Sequence, residues 1–336
     1  MKSGHKRYHN SGMTLVEILI AMLIGAIMLA GILGIFINTK QTNRSLEAVS
    51  RIQENSRFAL DFIARDLRMG DFWGCLRRDM GGPVNNINFG AAGAVYDFYG
   101  AGGFSGTNGV VNAGNTGLDA PDSLTIRGAA SVGVFVAADN GVTITTTANH
   151  GFNPNDYLFI TDCKKGDIFQ ATAGTAGTSI THTVGGLAPG NTTPNLSATY
   201  GSGSQVYQVA TVSYSIANGA SGLPSLFRSI NGTNRELIEG VENMQVLYGI
   251  DDDATMDFST DFYVPFNQIP VTINTPSGNV PGINRVISIR ISLLLQSIAN
   301  NITDQNTVVF YNGGTSVADR RIRRVVTSTI ALRNRL

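Results

Sequence analysis

The chain has 336 residues and carries 24 basic and 24 acidic side chains, so its formal net charge is zero. This balance excludes binding to nucleic acid through a bulk surplus of lysine and arginine, and it excludes a highly charged disordered chain. With only two cysteines, the chain is neither a disulfide-dense scaffold nor a protein with a cysteine-based zinc site. Its 39 glycines favour a β-rich body with many loops.

The first two predicted elements are a short basic segment and a long apolar one. Residues 1–12 carry three lysine or arginine side chains and no acid. Residues 13–37 follow, and their only charged side chain is Glu17. As a helix this run would span about 37 Å, which exceeds the hydrocarbon core of about 30 Å. We therefore expect it to cross a membrane with the basic segment on the cytoplasmic side.

Two common kinds of membrane signal fit this segment less well. A secretory signal has a shorter apolar region that ends in a small-residue cleavage site, whereas here a glycine, Gly12, precedes the apolar run. A plain signal anchor would leave Glu17 unexplained. A carboxylate inside hydrocarbon costs roughly 2.5–3.5 kcal/mol on insertion scales, and such groups usually have a function.

Residues 11–17, with the sequence SGMTLVE, resemble the processing signal of type IV pilins and pseudopilins. The resemblance implies that a prepilin peptidase cuts after Gly12 and that Met13 becomes the methylated N-terminus. Most family members have phenylalanine there, so Met13 departs from the pattern. The resemblance also implies that Glu17 pairs with the N-terminal amine of a neighbouring subunit. That pair would offset the cost of burying the carboxylate.

The helix is predicted to continue far beyond the apolar run, because no glycine or proline occurs between residue 37 and Gly70. Apolar residues recur there at spacings of three and four, which is typical of an amphipathic helix: Leu46, Val49, Ile52, Ala59, Leu60, Ile63 and Leu67. We predict one helix over residues 13–69, about 85 Å long. Its first half would lie in the membrane or a filament core, and its second half on a globular domain.

The two cysteines, Cys75 and Cys163, are predicted to lie outside the cytoplasm, where disulfides persist. A bridge between them would close a loop of nearly ninety residues, worth about 4–5 kcal/mol in the chain-entropy model. The alternative is two free buried thiols. We favour the bridge.

The middle of the chain and an acidic segment beyond it offer weak signals for ligands. Residues 85–205 are predicted to be a loop-rich insertion. Within them, the glycines of residues 100–106 lack the lysine of a phosphate-binding loop and indicate a surface loop. Residues 251–253 with Asp257 and Asp261 could offer oxygen ligands to calcium, but the EF-hand spacing is missing. A solvated loop is the favoured interpretation, and no metal site is predicted.

Strands are predicted wherever β-branched or alternating apolar residues recur: residues 123–127, 142–147, 157–161, 205–215, 244–250 and 285–296. The final run, residues 320–336, contains many arginines. Ile322, Val326, Ile330 and Leu332 would share one face and Arg321, Arg323, Arg333 and Arg335 the other. A solvated outer face is the favoured interpretation of these arginines. The alternative is a contact with acidic neighbouring subunits or with DNA.

A second resemblance narrows the family. Residues 57–70 with Gly74 and Cys75, residues 236–245 and residues 324–336 are similar to the PilW family of minor pilins. This implies an α+β, type IV pilin-like fold, in which a long N-terminal helix packs on a mainly antiparallel β domain over residues 70–336.

The same resemblance implies a role in priming and assembling type IV pili, at or near the pilus tip. The chain would be a single-pass inner-membrane protein with a cytoplasmic N-terminus before assembly, and part of a surface pilus afterwards. The expected partners are the prepilin peptidase, other minor pilins, the major pilin and a tip adhesin.

Two other functions are alternatives for this sequence. A pseudopilin of a type II secretion system would share the N-terminal signal, but the PilW-like C-terminal part disfavours it. A membrane-anchored periplasmic enzyme is the other candidate. No catalytic motif supports it, since His150 and His182 stand isolated in the sequence. We therefore predict no enzymatic activity and no cofactor.

Overall fold

The structure, a computed structural model, describes residues 13–76, 82–88, 103–109, 117–185, 188–276 and 278–335. In this part of the chain one helix, α1, is followed by 19 short and long strands. The predicted fold class is therefore confirmed: a long N-terminal helix stands against a mainly antiparallel β domain.

The helix α1 comprises Leu15–Met69, 55 residues without a break, which corresponds to about 82 Å. It begins two residues after the predicted start and ends at the predicted residue. Gly70 follows at a crowded position. A Cβ atom there would lie 2.6 Å from the ring of Phe104 and 2.7 Å from Ile126, so only glycine lets the chain leave the helix against these side chains.

The strands are, in chain order, β1 Val84–Asn85, β2 Phe104–Thr107, β3 Ser123–Ala129, β4 Val134–Asp139, β5 Thr143–Thr146, β6 Tyr157–Thr161, β7 Gly166–Gln170, β8 Ser179–Thr181, β9 Gln205–Asn218, β10 Pro224–Ile230, β11 Thr233–Glu239, β12 Val241–Ile250, β13 Phe262–Val264, β14 Thr272–Thr275, β15 Gly278–Pro281, β16 Val286–Gln296, β17 Phe310–Tyr311, β18 Gly314–Thr315 and β19 Arg323–Ala331. Every run predicted as a strand falls on one of these elements.

The larger sheet is organised around the long strand β9. The first half of β9 pairs with β6 and β4, and its second half pairs with β3 and β10. These pairings are antiparallel, whereas β1 and β7 form a short parallel pair. β9 therefore joins the middle of the chain to the C-terminal part in one sheet of 11 strands.

The middle of the chain forms part of the β domain. It supplies β2 to β8 and has a buried cluster of its own around Val136, Leu158 and Phe169. The surface-loop prediction for residues 100–106 is wrong for the part that the structure describes. Phe104 there is fully buried at the start of β2, because its ring packs against the end of α1.

The smaller sheet carries the second half of α1. Its strand order is β13-β12-β16-β19, with antiparallel pairing at each step. Side chains from alternate positions of β12 and β16 meet the apolar stripe of α1 in one core. That core contains Ile52, Ala59, Ile63, Leu67, Met244, Val246, Tyr248, Ile289, Ile291, Leu293 and Leu295.

Candidate assembly site

The first half of α1 is apolar except for Glu17, and its large apolar side chains are uncovered. All large apolar side chains between residues 13 and 37 are exposed. The most apolar 18-residue window of the helix has a mean hydropathy of 2.8, and none of it is buried within the chain. Leaving so much apolar surface in water would cost on the order of tens of kcal/mol. The segment is therefore built to be covered by a membrane or by other helices.

Glu17 lies in the first turn of this helix and interacts with Thr14. The backbone N–H of Thr14 donates to Glu17 Oε2 at 2.9 Å, and the Thr14 hydroxyl approaches the same oxygen at 3.1 Å. In return the Glu17 N–H donates to Thr14 Oγ1 at 3.3 Å. This reciprocal pair is a capping box, which starts a helix by satisfying its free N–H groups. Both Thr14 donors bond to Oε2, and Oε1 receives no hydrogen bond from the part of the chain that the structure describes.

The predicted processing site is described only in part. Gly12 lies outside the described residues. Met13, the predicted mature N-terminus, is 74% exposed and directly precedes Thr14. An N-terminus at Met13 would therefore begin the chain one residue before the helix cap.

The loop after β16 holds the second half of α1 against the β domain near Ile37. The end of the β domain that lies nearest to Ile37 is its lower end. The carbonyl oxygen of Ile302 accepts hydrogen bonds from the Gln41 amide and, at 3.4 Å, from the Ser45 hydroxyl. Higher on the helix, the Asn55 amide donates to the carbonyl of Glu239 at 3.4 Å. These contacts place the bottom of the β domain only one helical turn beyond Ile37.

A partly buried carboxylate, Asp66, joins the helix to the β domain near the C-terminal end of α1. Asp66 accepts two hydrogen bonds from the Arg228 guanidinium, at 2.8 and 3.1 Å, and one from the Tyr214 hydroxyl at 2.5 Å. Burial of the Tyr214 hydroxyl, together with its bond to Asp66, raises the pKa of Tyr214 well above its usual value. The three groups join α1 to β9 and β10.

The end of α1 is held by the last residues described. Arg335 Nε donates to Asp71 at 2.9 Å, and the Trp73 indole donates to the same carboxylate at 3.0 Å. The Asn334 amide donates to the carbonyl oxygens of Arg68 and Gly70. The C-terminal segment thus closes over the helix end.

The prediction of a solvated arginine face is wrong for two of the C-terminal arginines. Arg335 is 7% exposed, and the side chain of Arg323 is 2% exposed. Arg323 binds Glu242 and Asp319, each at 2.6 Å. Both arginines therefore serve as internal cross-links, whereas Arg333 is exposed as predicted.

Cys75 and Cys163 form a disulfide across a sequence separation of 88 residues. Cys75 follows the end of α1, and Cys163 lies in the turn between β6 and β7. The bridge therefore ties the middle of the chain to the segment that leaves the helix. Trp73 and Phe159 pack edge to face beside it, with ring centroids 5.2 Å apart.

The acidic segment near residue 251 is partly buried, and the side chain of Arg285 lies against it. Asp251 is fully buried, so the solvated-loop prediction is wrong for this residue. Its Oδ2 accepts from two backbone N–H groups, and its Oδ1 lies 3.5 Å from the Arg285 guanidinium. Asp253 and Asp261 stand nearby with oxygens within 4.8 Å of Asp251. Repulsion from Asp261 raises the pKa of the exposed Asp253 carboxyl.

The two described histidines have structural contacts. The ring nitrogens of His150 meet the Phe152 N–H at 2.9 Å and the Ser179 carbonyl at 3.1 Å. His182 Nδ1 lies 3.1 Å from the Pro194 carbonyl, and burial lowers the pKa of its ring. These contacts hold loops in place and give no arrangement of a nucleophile with a base.

Sequence reasoning found Glu17, the cysteines and the helix, but it missed the residues that attach the helix. Thr14 could have been found, since Thr-x-x-Glu before an apolar run is a recognised cap signal. Asp66, Arg228 and Arg335 had no local signal, because their partners are distant in sequence.

In comparisons with known proteins, the C-terminal part and the N-terminal part of the chain match different family models. Residues 213–334 match the family model described as Type IV Pilus-assembly protein W. Residues 7–33 match the Prokaryotic N-terminal methylation motif. A type IV-like pilin from Thermus thermophilus aligns with 85% of this chain and 99% of its own, at 11% identity and a TM-score of 0.33. No curated protein matches the sequence.

Proposed function

We propose that this chain is a minor pilin that helps to prime pilus assembly, because a match to the pilus-assembly protein W model at residues 213–334 follows a match to the N-terminal methylation motif at residues 7–33. In this proposal it remains at or near the pilus tip. The observation that carries the proposal is the division of α1: one half is apolar and uncovered, and the other is fastened to the β domain.

The proposed pathway begins in the inner membrane. Prepilin peptidase removes residues 1–12 by cutting after Gly12, and the new N-terminus at Met13 is methylated. The chain then crosses the membrane once through residues 13–37, with the disulfide-linked β domain outside the cytoplasm. It leaves the membrane when it joins other minor pilins and the major pilin.

Glu17 is the proposed assembly carboxylate. Its Oε2 is engaged by Thr14 in the capping box, which orients the carboxylate on the helix. Oε1 can then accept a bond from the N-terminal amine of a neighbouring subunit. Such an ion pair in an apolar surrounding would fix the axial position of one helix against the next, because apolar contacts alone do not specify register.

The proposal is tested by the mass of the mature chain. We expect material from membranes and from sheared pili to begin at Met13 and to carry one N-terminal methyl group. A Gly12→Arg variant should keep the leader and be absent from sheared pili. An unprocessed chain in assembled pili would contradict the proposal. A processed chain that never enters pili, in cells that lose protein secretion when it is deleted, would indicate a secretion pseudopilin.

A further inference from the structure

The lower end of the β domain lies close to Ile37, where the apolar half of α1 ends. We propose that this lower rim, formed by Lys40, Arg44, residues 300–303 and Arg320, is a contact surface for the phosphate headgroups of anionic membrane lipid. The inference rests on the proposed function only in that it requires the apolar half of α1 to be membrane-inserted.

Helix geometry sets the height of the rim. Residues 18–37 are uncharged, and 20 helical residues rise about 30 Å, the thickness of the hydrocarbon core. With Glu17 at the inner boundary, Ile37 reaches the outer one. Gln41 stands about 6 Å further along the axis, and the headgroup layer is about 5–8 Å thick on each side. Because Gln41 bonds to Ile302, the loop at Ile302 lies at headgroup level.

The loop is held firmly enough to keep that position. The backbone N–H groups of Ile302 and Thr303 donate to the carbonyl of Arg320 at 2.8 and 3.1 Å. Arg320 Nε donates back to the Thr303 carbonyl at 2.6 Å, and its N–H donates to the side chain of Asn300 at 3.2 Å. Since α1 is unbroken across this level, the rim cannot move up the helix without losing these contacts.

The side chains at this level suit an anionic lipid surface. Lys40 and Arg44 are exposed and one helical turn apart on α1, and Asn300 and Asn301 are exposed donors on the loop. Arg44 and Asn300 line the same groove between the helix and the loop, so their side chains border one space. Of the acids nearby, Glu47 is paired with Arg51 at 2.8 Å and Asp304 is exposed.

The rim therefore presents three cations, Lys40, Arg44 and Arg320. Of the three acids close to them, Glu47 is paired with Arg51 and Asp319 with Arg323, which leaves Asp304. Each cation close to an anionic bilayer strengthens association about fivefold. Seated in this way, the β domain would stand at a fixed height above the membrane before the subunit is extracted.

The test uses the full chain in vesicles, with one introduced cysteine carrying a spin label. The native cysteines are joined in a disulfide and do not react. Labels are placed at Ile27→Cys in the apolar half, Asn301→Cys on the rim and Asp252→Cys at the far end of the domain. Their relaxation by nickel-chelating headgroup lipid and by oxygen is compared in phosphatidylcholine vesicles with and without phosphatidylglycerol.

We expect headgroup nickel to relax the label at residue 301 at least twofold more than the label at residue 252, and more strongly in anionic vesicles. The double variant K40Q/R44Q should lose the dependence on anionic lipid. The control R57Q/R65Q, which removes two exposed cations higher on the same helix, should keep it.

The outcomes separate this inference from the proposed function. If the label at residue 27 lies among the acyl chains while the label at residue 301 behaves like the one at residue 252, the inference is wrong and membrane insertion stands. Equal relaxation in neutral and anionic vesicles would overturn the claim of anionic headgroup binding. A label at residue 27 that is open to water would overturn both this inference and the anchoring in the proposed function.

Discussion

Single charged and polar residues decide how α1 is held against the β domain. Asp66, Asp71 and the carbonyl of Ile302 each accept hydrogen bonds that cross between the helix and distant segments. Glu17 differs from them, because among the described residues its side chain bonds to Thr14, in the same helical turn. Its position was predictable from the sequence, since it interrupts an apolar run. The pairing of Asp66 with Tyr214 and of Asp71 with Arg335 was not, since these partners lie more than 140 residues away.

Replacing Asp66 by asparagine should destabilise the domain by about 2–4 kcal/mol, because Arg228 and the Tyr214 hydroxyl would lose a shared charged acceptor. The free energy of unfolding would be measured with urea on the full chain in detergent. Asp61→Asn is the matched control, since Asp61 is exposed one turn away on the same helix. Equal stability of the two variants would contradict the role given to Asp66.

The buried tyrosines predict a loss of stability in alkaline solution. Burial and a bond to a carboxylate raise the pKa of Tyr214, and likewise that of Tyr200 beside Asp167. In the unfolded chain both hydroxyls ionise near pH 10, whereas in the folded chain they stay neutral. Their contribution to stability is therefore complete below about pH 9 and falls as the pH rises through 10.

Urea unfolding between about pH 8 and 11 tests this, with a Tyr214→Phe variant for comparison. Phenylalanine cannot ionise, so above pH 10 the slope of stability against pH should become shallower by about 1.4 kcal/mol per pH unit. Tyr263→Phe serves as the control, since contacts with Ser288, Thr260 and Arg290 outweigh the effect of burial and lower the pKa of Tyr263. An unchanged slope in Tyr214→Phe would show that this hydroxyl ionises in the folded chain.

At the scale of secondary-structure elements, predictability depended on how local each pattern was. The bounds of α1 followed from its apolar spacing and from the absence of glycine and proline between residue 37 and Gly70. Strands such as β6 and β16 followed from β-branched and alternating residues. The middle of the chain was less predictable, since β4 and β6 pair not only with neighbouring strands but also with β9, which lies far along the sequence. Alternation also misled for Arg323 and Arg335. Arg323 on β19 pairs with Glu242 and Asp319, and Arg335 lies beyond the strand, in a 3-10 turn, where it pairs with Asp71.

The disulfide connects two of these elements and should contribute to stability accordingly. Reduction of Cys75–Cys163 should lower the free energy of unfolding by about 4–5 kcal/mol, because the bridge closes a loop of about ninety residues. The measurement is urea unfolding with and without reductant. The double variant Cys75→Ser/Cys163→Ser should match the reduced chain and show no further response to reductant. Full stability of that variant would mean that the bridge is dispensable.

At the scale of the whole molecule, the two halves of the continuous helix α1 have different surroundings. Its lower half offers apolar surface to a membrane or to neighbouring helices, and its upper half is part of the core of the β domain. The disulfide, the contacts of Asp66 with Arg228, and the contacts of Arg335 at the helix end all lie beyond residue 37. They hold the β domain on the second half of α1 and do not involve the first half. The fold class was predictable because the N-terminal signal and the C-terminal motifs each resemble known families.

The central claim is that this chain is needed to assemble pili and acts through Glu17. The most direct measurement is the number of surface pili per cell, counted by electron microscopy in a strain that lacks the chain and carries a returned copy. We predict few or no pili without the chain, normal numbers with the unmodified chain or with Glu47→Ala, and a clear shortage with Glu17→Ala. Normal pilus numbers in the absence of the chain, or full rescue by Glu17→Ala, would contradict the account.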